Sequence, residues 1–147
     1  MQFTYNDGGR AAAGFSGHAG DCVARSIAII SGLPYKEVYD FLAENNAAQK
    51  RGKNQKKKRP KTASNGIQTK RKWFGDYMTS LGFVWIPTMH IGQGCKVHLT
   101  ETELPKGKII VNVSKHFTAV IDGVINDTHD CSRGGTRCVY GYYKLNQ

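Results

Sequence analysis

No stretch of the 147-residue chain is apolar for long enough to cross a membrane. The opening, Met1-Gln2-Phe3-Thr4-Tyr5-Asn6-Asp7, lacks both the basic region and the apolar core of an export signal. A cytoplasmic protein of one domain spanning 1–147 is the expectation, since a chain of this size buries an ordinary core without disulfides or metals. Cysteine is scarce, with Cys22, Cys95, Cys131 and Cys138 making four, and in a chain without a signal these are expected as free thiols. There is no Cys-x-x-Cys pair, and Cys95-x-x-His98, His129, Cys131 and Cys138 are poorly spaced for zinc, so neither metal nor cofactor is expected. The glycine-bearing segment 87–95 lacks the lysine and Ser/Thr of a phosphate loop and reads as a loop walling a cleft. No internal repeat occurs.

Acidic residues are missing between Lys50 and Lys72, where 11 Lys or Arg fall. That leaves 10 basic residues against all 11 acidic ones, so the net charge of +10 belongs to one segment and the remainder is near neutral. The part at about 50–66 has almost nothing apolar and reads as a basic surface insertion unable to fold alone. Lys56, Lys57, Lys58, Arg59, Lys61, Lys70, Arg71 and Lys72 are its candidates for polyanion binding. Such a charge density suits salt-dependent attachment to nucleic acid or docking of an acidic partner. Trp73 and Phe74 follow the run instead of alternating with it, which argues against base stacking along it.

Against those absences stands Gly20-Asp21-Cys22-Val23-Ala24-Arg25-Ser26-Ile27-Ala28. Asp21 suits an N-cap, which puts Cys22 in the first turn of a helix over about 22–31, closed by Gly32. Free backbone N–H groups and the helix dipole favour a thiolate there. A cysteine so placed, with a cationic partner, drops from about 8.5 into the range of roughly 3.5–7.5. The glycine-rich N-terminal piece before it reads as a loop. A second helix starts near Pro34 with the stripe Tyr35, Val38, Phe41 and Leu42, and a third covers about 69–81 with Trp73, Phe74, Tyr77 and Leu81 on one face.

After Gly82 the period shifts to strands, over 83–86, 108–113, 116–121, 124–128 and about 138–145. The Asp122-Gly123 pair marks a two-residue hairpin turn. With Ile121 facing Val124, Thr118 falls opposite Asp127, and His116 becomes a diagonal neighbour of Asp127 on one face, about 7–8 Å away at the backbone. The hairpin thus delivers a histidine held by an acid, which favours imidazolium. Asn126 and Asp130 are rivals for that place if the turn is longer. Together with Cys22 these are the parts of a thiol nucleophile, a base and an orienting carboxylate.

The order of Cys22 at the start of the first helix, then His116 and Asp127 on late strands, resembles the papain-like cysteine peptidases, in particular small bacterial members with an Asp-Cys pair such as the bacteriocin-processing type. The stretches 5–10, 20–22 and 122–128 are also similar to phage-encoded proteins of this kind. The resemblance implies an α+β papain-like fold, N-terminal helices packed on a C-terminal antiparallel sheet, in a bacterial or phage-infected cell, with virion association a further possibility. It implies a hydrolase that cleaves a peptide or isopeptide bond through a thioester; an amidase or a transferase would use the same parts. The family has a glutamine about six residues before its cysteine to hold the oxyanion. Ser16 stands there, so Ser16 or His18 is the candidate donor beside the Cys22 backbone N–H. The alternative is a weak or inactive scaffold of this kind that binds nucleic acid or a phage structural protein through the 50–72 segment.

Overall fold

A computed structural model describes residues 1–16, 21–48, 63 and 67–146. It is an α+β arrangement of three helices, α1 (Cys22–Ser31), α2 (Tyr35–Ala48) and α3 (Lys72–Ser80), with a six-stranded mixed sheet. The strands are β1 (Gln2–Tyr5), β2 (Phe83–Pro87), β3 (Lys108–Val113), β4 (His116–Ile121), β5 (Val124–Asp127) and β6 (Val139–Leu145), in the spatial order β1-β5-β4-β3-β6-β2. Among the described residues no helix is long and apolar enough to cross a membrane.

The sheet departs from the expected all-antiparallel one at a single edge. β1, read from sequence as part of a glycine-rich loop, lies parallel to β5 with Gln2 beside Val124 and Tyr5 beside Asp127. Its four residues are all exposed, so no buried face imposes the alternation that marks a strand in sequence. The glycines that suggested a loop come only after it.

Side chains alternate between two cores. Ile110, Phe117, Ala119 and Tyr143 face the helices and pack with Ile27, Val38, Leu42, Phe74 and Met78. Ile109, Val111, Val113, Val120 and Ile125 face the other way, against Leu99, Leu104, Cys131 and Val139. The Ile109–Val111 run of β3 is apolar without a break because both of its faces are covered, whereas β6 alternates between buried and more exposed residues. Ala63, within the stretch read as an exposed insertion, is only 1% exposed and belongs to the helix-side core. The third helix begins at Lys72, with Thr69 and Lys70 in a turn before it. Phe41, expected inside, is 38% exposed and stacks on Tyr77 with ring centroids 4.0 Å apart.

Two turns set the site. Asp122 and Gly123 both take positive φ, 48° and 81°, the pair of left-handed residues of a type I′ hairpin, and Ile121 pairs with Val124 as the turn requires. Val113 pairs with His116 across Ser114-Lys115, where Lys115 has φ 56°. That conformation is uncommon for a lysine and sits immediately before the histidine.

Candidate active site

His116 opens β4 and Asp127 closes β5, so an antiparallel pair presents both at one end of the sheet. The diagonal relation read from the hairpin holds: His116 Nε2 lies 2.7 Å from Asp127 Oδ2, with the two side chains 12% and 3% exposed. Thr118, directly opposite Asp127, donates its hydroxyl to the same Oδ2 at 2.8 Å, and the Thr128 N–H donates to Oδ1 at 2.7 Å. Asp130 turns away and accepts from the Ser132 N–H and hydroxyl. Asn126 interacts with Asn6.

Cys22, half-buried as the first residue of α1, lies near enough to His116 for each to shift the titration of the other. Burial pushes its thiol pKa up. Opposing this are the hydrogen bond and positive charge of His116, the Phe117 N–H and the charge of Arg25, and together they win, so the pKa falls below the ordinary thiol value. Burial pulls His116 down, yet hydrogen bonds with Asp127, Cys131 and Cys22 and the Cys22 charge raise it to about 11. Burial likewise raises Asp127, but His116, Thr118 and the Thr128 N–H bring it to about 2. The contact between them lowers the Cys22 thiol and raises His116, so each favours the charged form of the other. Asp127 occupies Nε2, so Nδ1 is the ring nitrogen left for another partner.

Asp21 works differently from the cap expected of it. Its side chain makes no capping bond; it is buried and paired with Arg25 at 2.5 Å and Arg10 at 3.3 Å, and it accepts the Tyr35 hydroxyl. Arg25, one turn after Cys22 on α1, also reaches Asp127 Oδ1 at 3.3 Å. The helix carrying the thiol is thus tied to the carboxylate that holds the imidazole. Burial and the neighbouring Asp21 carboxylate hold the Tyr35 pKa far above its ordinary value, so Tyr35 remains a donor.

Compared with protein-family models, with curated proteins and with solved structures, the chain matches none. The chemistry of the site accordingly rests on its own geometry.

A cleft of about 390 Å³ opens beside the pair. Cys22, His116, Asn112, Tyr140, Lys70 and Lys115 are among its lining residues, none of which is acidic. Ser16 is exposed and outside the lining, with its carbonyl accepting from Arg10, while His18 lies outside the described residues. Among the described residues, the carboxamide that lines the cleft is Asn112 on β3, a residue that no spacing rule singles out. Lys56, Lys57, Lys58, Arg59 and Lys61 also fall outside the described residues. Of the other basic candidates, Lys70 lines the cleft, Arg71 donates to Gln68 at 2.6 Å and Lys72 to Asp76 at 2.8 Å.

Cys131 was legible only as a poor zinc ligand. It is a buried free thiol 3.9 Å from Asp127 Oδ2, and its donor atom lies within 4.8 Å of those of His116 and Asp127. The 2.7 Å between His116 and Asp127 suits a shared proton. Two ligands of one tetrahedral zinc would stand about 3.3 Å apart. Cys95 and Cys138, expected as thiols, form a disulfide.

Proposed function

We propose that the chain is a cysteine hydrolase of papain-like arrangement that cleaves a peptide or isopeptide bond. The observation that carries this reading is the buried Asp127–His116 pair, at 2.7 Å, whose imidazole lines one cleft with a thiol at the start of a helix. The Cys22 thiolate attacks the carbonyl carbon, and the oxyanion is held by the Cys22 backbone N–H and the Asn112 carboxamide. His116 gives its proton to the departing amine, leaving a thioester on Cys22. The now neutral His116 takes a proton from water, hydroxide adds to the thioester, and the acid leaves as the thiolate re-forms. Asp127 keeps the ring oriented and stabilises its charged form throughout.

The cleft favours substrates with an anionic group near the scissile bond, because Lys70 and Lys115 line it and no acidic residue does. The test is alkylation of the intact protein by iodoacetamide between pH 8 and pH 6, mapped by mass spectrometry, with glutathione as the reference thiol. Cys22 keeps most of its rate across this window, whereas glutathione slows by about tenfold for each pH step of one, as its thiolate is titrated away. A Cys22 profile parallel to that of glutathione would remove the hydrolase reading.

A further inference from the structure

Elsewhere among the described residues a cysteine, a histidine and a carboxylate come together again, in an exposed setting. Cys95 is paired with Cys138, which directly precedes β6. His98 Nε2 stands 3.6 Å from Cys95 Sγ, and its other ring nitrogen, Nδ1, is 3.2 Å from Glu103 Oε1. The Thr100 hydroxyl donates to the second oxygen of Glu103 at 3.0 Å. The histidine and glutamate side chains are 39% and 37% exposed. Two backbone bonds frame the group: Val139 N–H to the Val97 carbonyl and Leu99 N–H to the Arg137 carbonyl, both at 2.8 Å.

We propose that Cys95–Cys138 is a thiol–disulfide exchange site for a dithiol, with Cys95 as the leaving sulfur and His98–Glu103 as the pair that receives it. A buried structural disulfide needs no imidazole beside it, and an oriented one costs side-chain freedom at the surface. Exchange is faster when the departing sulfur is stabilised as a thiolate, which is what an imidazole held by a carboxylate offers Cys95. Among the described residues nothing comparable serves Cys138: its sulfur neighbours the Met89 thioether at 3.7 Å, a flexible apolar group that an incoming sulfur displaces. The polarity of the bond therefore runs one way.

One thiolate of the dithiol attacks Cys138 Sγ, forming a mixed disulfide, and the Cys95–Cys138 bond breaks with its electron pair going to Cys95, which takes a proton by way of His98. The second thiol of the reagent then attacks its own sulfur in the mixed disulfide. Its intramolecular disulfide forms and Cys138 leaves as a thiolate that is protonated by solvent. Two electrons and two protons pass from the dithiol to the protein, and the reagent is oxidised. This site shares no residue with the proposed hydrolase and does not depend on it.

The experiment uses the full oxidised chain. Glutathione at pH 7, quenched with acid early in the reaction, traps the mixed disulfide, which peptide mapping places; the expected position is Cys138, and trapping on Cys95 overturns the proposal. Reduction by dithiothreitol is then followed by alkylation of Cys95 and Cys138. His98→Gln and Glu103→Gln both slow it, by about three- to tenfold. Wild-type rates in both variants overturn the proposal, as does failure of the two cysteines to pair in oxidised glutathione. The trapping arm requires no substitution, so it decides even if a variant folds poorly.

Discussion

Two clusters of cysteine, histidine and carboxylate lie in this chain, and they differ in what surrounds them. Around Cys22 the imidazole and Asp127 are nearly buried, and Thr118, Arg25, the Thr128 N–H and the Cys131 thiol crowd the same carboxylate. Around Cys95 the imidazole and Glu103 are in solvent, the Thr100 hydroxyl also engages the carboxylate, and the sulfur is tied to Cys138. A low local dielectric strengthens the first set of interactions and makes each of them costly to leave unmade. Water screens the second. The lesson is that burial decides how strongly such residues are coupled: tightly around His116 and Asp127, loosely around His98 and Glu103.

The comparison breaks first at the thiols. On the proposed reading Cys22→Ser lowers turnover of any substrate by about three to six orders of magnitude, while Cys95→Ser leaves it within about threefold; a peptide-release assay on both variants measures it. Loss of activity in Cys95→Ser with Cys22→Ser unaffected would exchange the roles of the two clusters. Asn112→Ala sharpens the picture. Losing one oxyanion donor costs about 100- to 1000-fold in kcat, yet iodoacetamide forms no oxyanion, so alkylation of Cys22 stays at the wild-type rate.

Stability separates the clusters next. Arg25→Met leaves Asp21 and Asp127 buried without a guanidinium between them, and breaking a buried pair in this way costs about 3–5 kcal/mol. Removing the disulfide by Cys95→Ser releases a loop closed over a sequence separation of 43, for a loss of about 2–4 kcal/mol. Urea unfolding of the two variants measures both, and the buried pair is the larger of the two losses.

How much of this could be read from the residues follows the same divide between local and distant. The Asp122-Gly123 turn fixes register, and register fixes faces, so His116 beside Asp127 follows from counting. Cys22 at a helix start follows from Gly-Asp before it and Gly32 after the last apolar repeat. What failed needed contacts that no local rule names. Asp21 has the signature of a cap, yet Arg10, Arg25 and Tyr35 outbid the backbone for its carboxylate. β1 is too short and too exposed to carry a period, and its pairing with β5 arises through a parallel contact that no local turn announces. Ala63 hides in a lysine-rich stretch because one methyl group leaves no pattern. Cys131 depends on how the chain returns beside Asp127, and the Cys95–Cys138 pair on the bridge of His98 with Cys138.

The smallest expected difference is the most discriminating, and it lies in acid. Asp127 titrates at about 2 in the folded chain, below the ordinary carboxylate range near 4. A depressed value contributes stability that is fully present above the unfolded pKa and is lost as pH falls through the folded one, so this part of the stability declines between about pH 4 and pH 2. Glu103 is shifted in the same direction by its hydrogen bonds from His98 and Thr100, but it stands in solvent, where such bonds hold little of the fold together. Melting temperatures measured at steps from pH 5 to pH 2 should therefore fall less steeply in Asp127→Asn than in the wild type, from a lower starting value. Glu103→Gln should trace the wild-type curve. If Glu103→Gln flattened the acid limb and Asp127→Asn did not, the buried carboxylate would not be the one that carries folding energy, and the contrast drawn between the two clusters would have to be reversed.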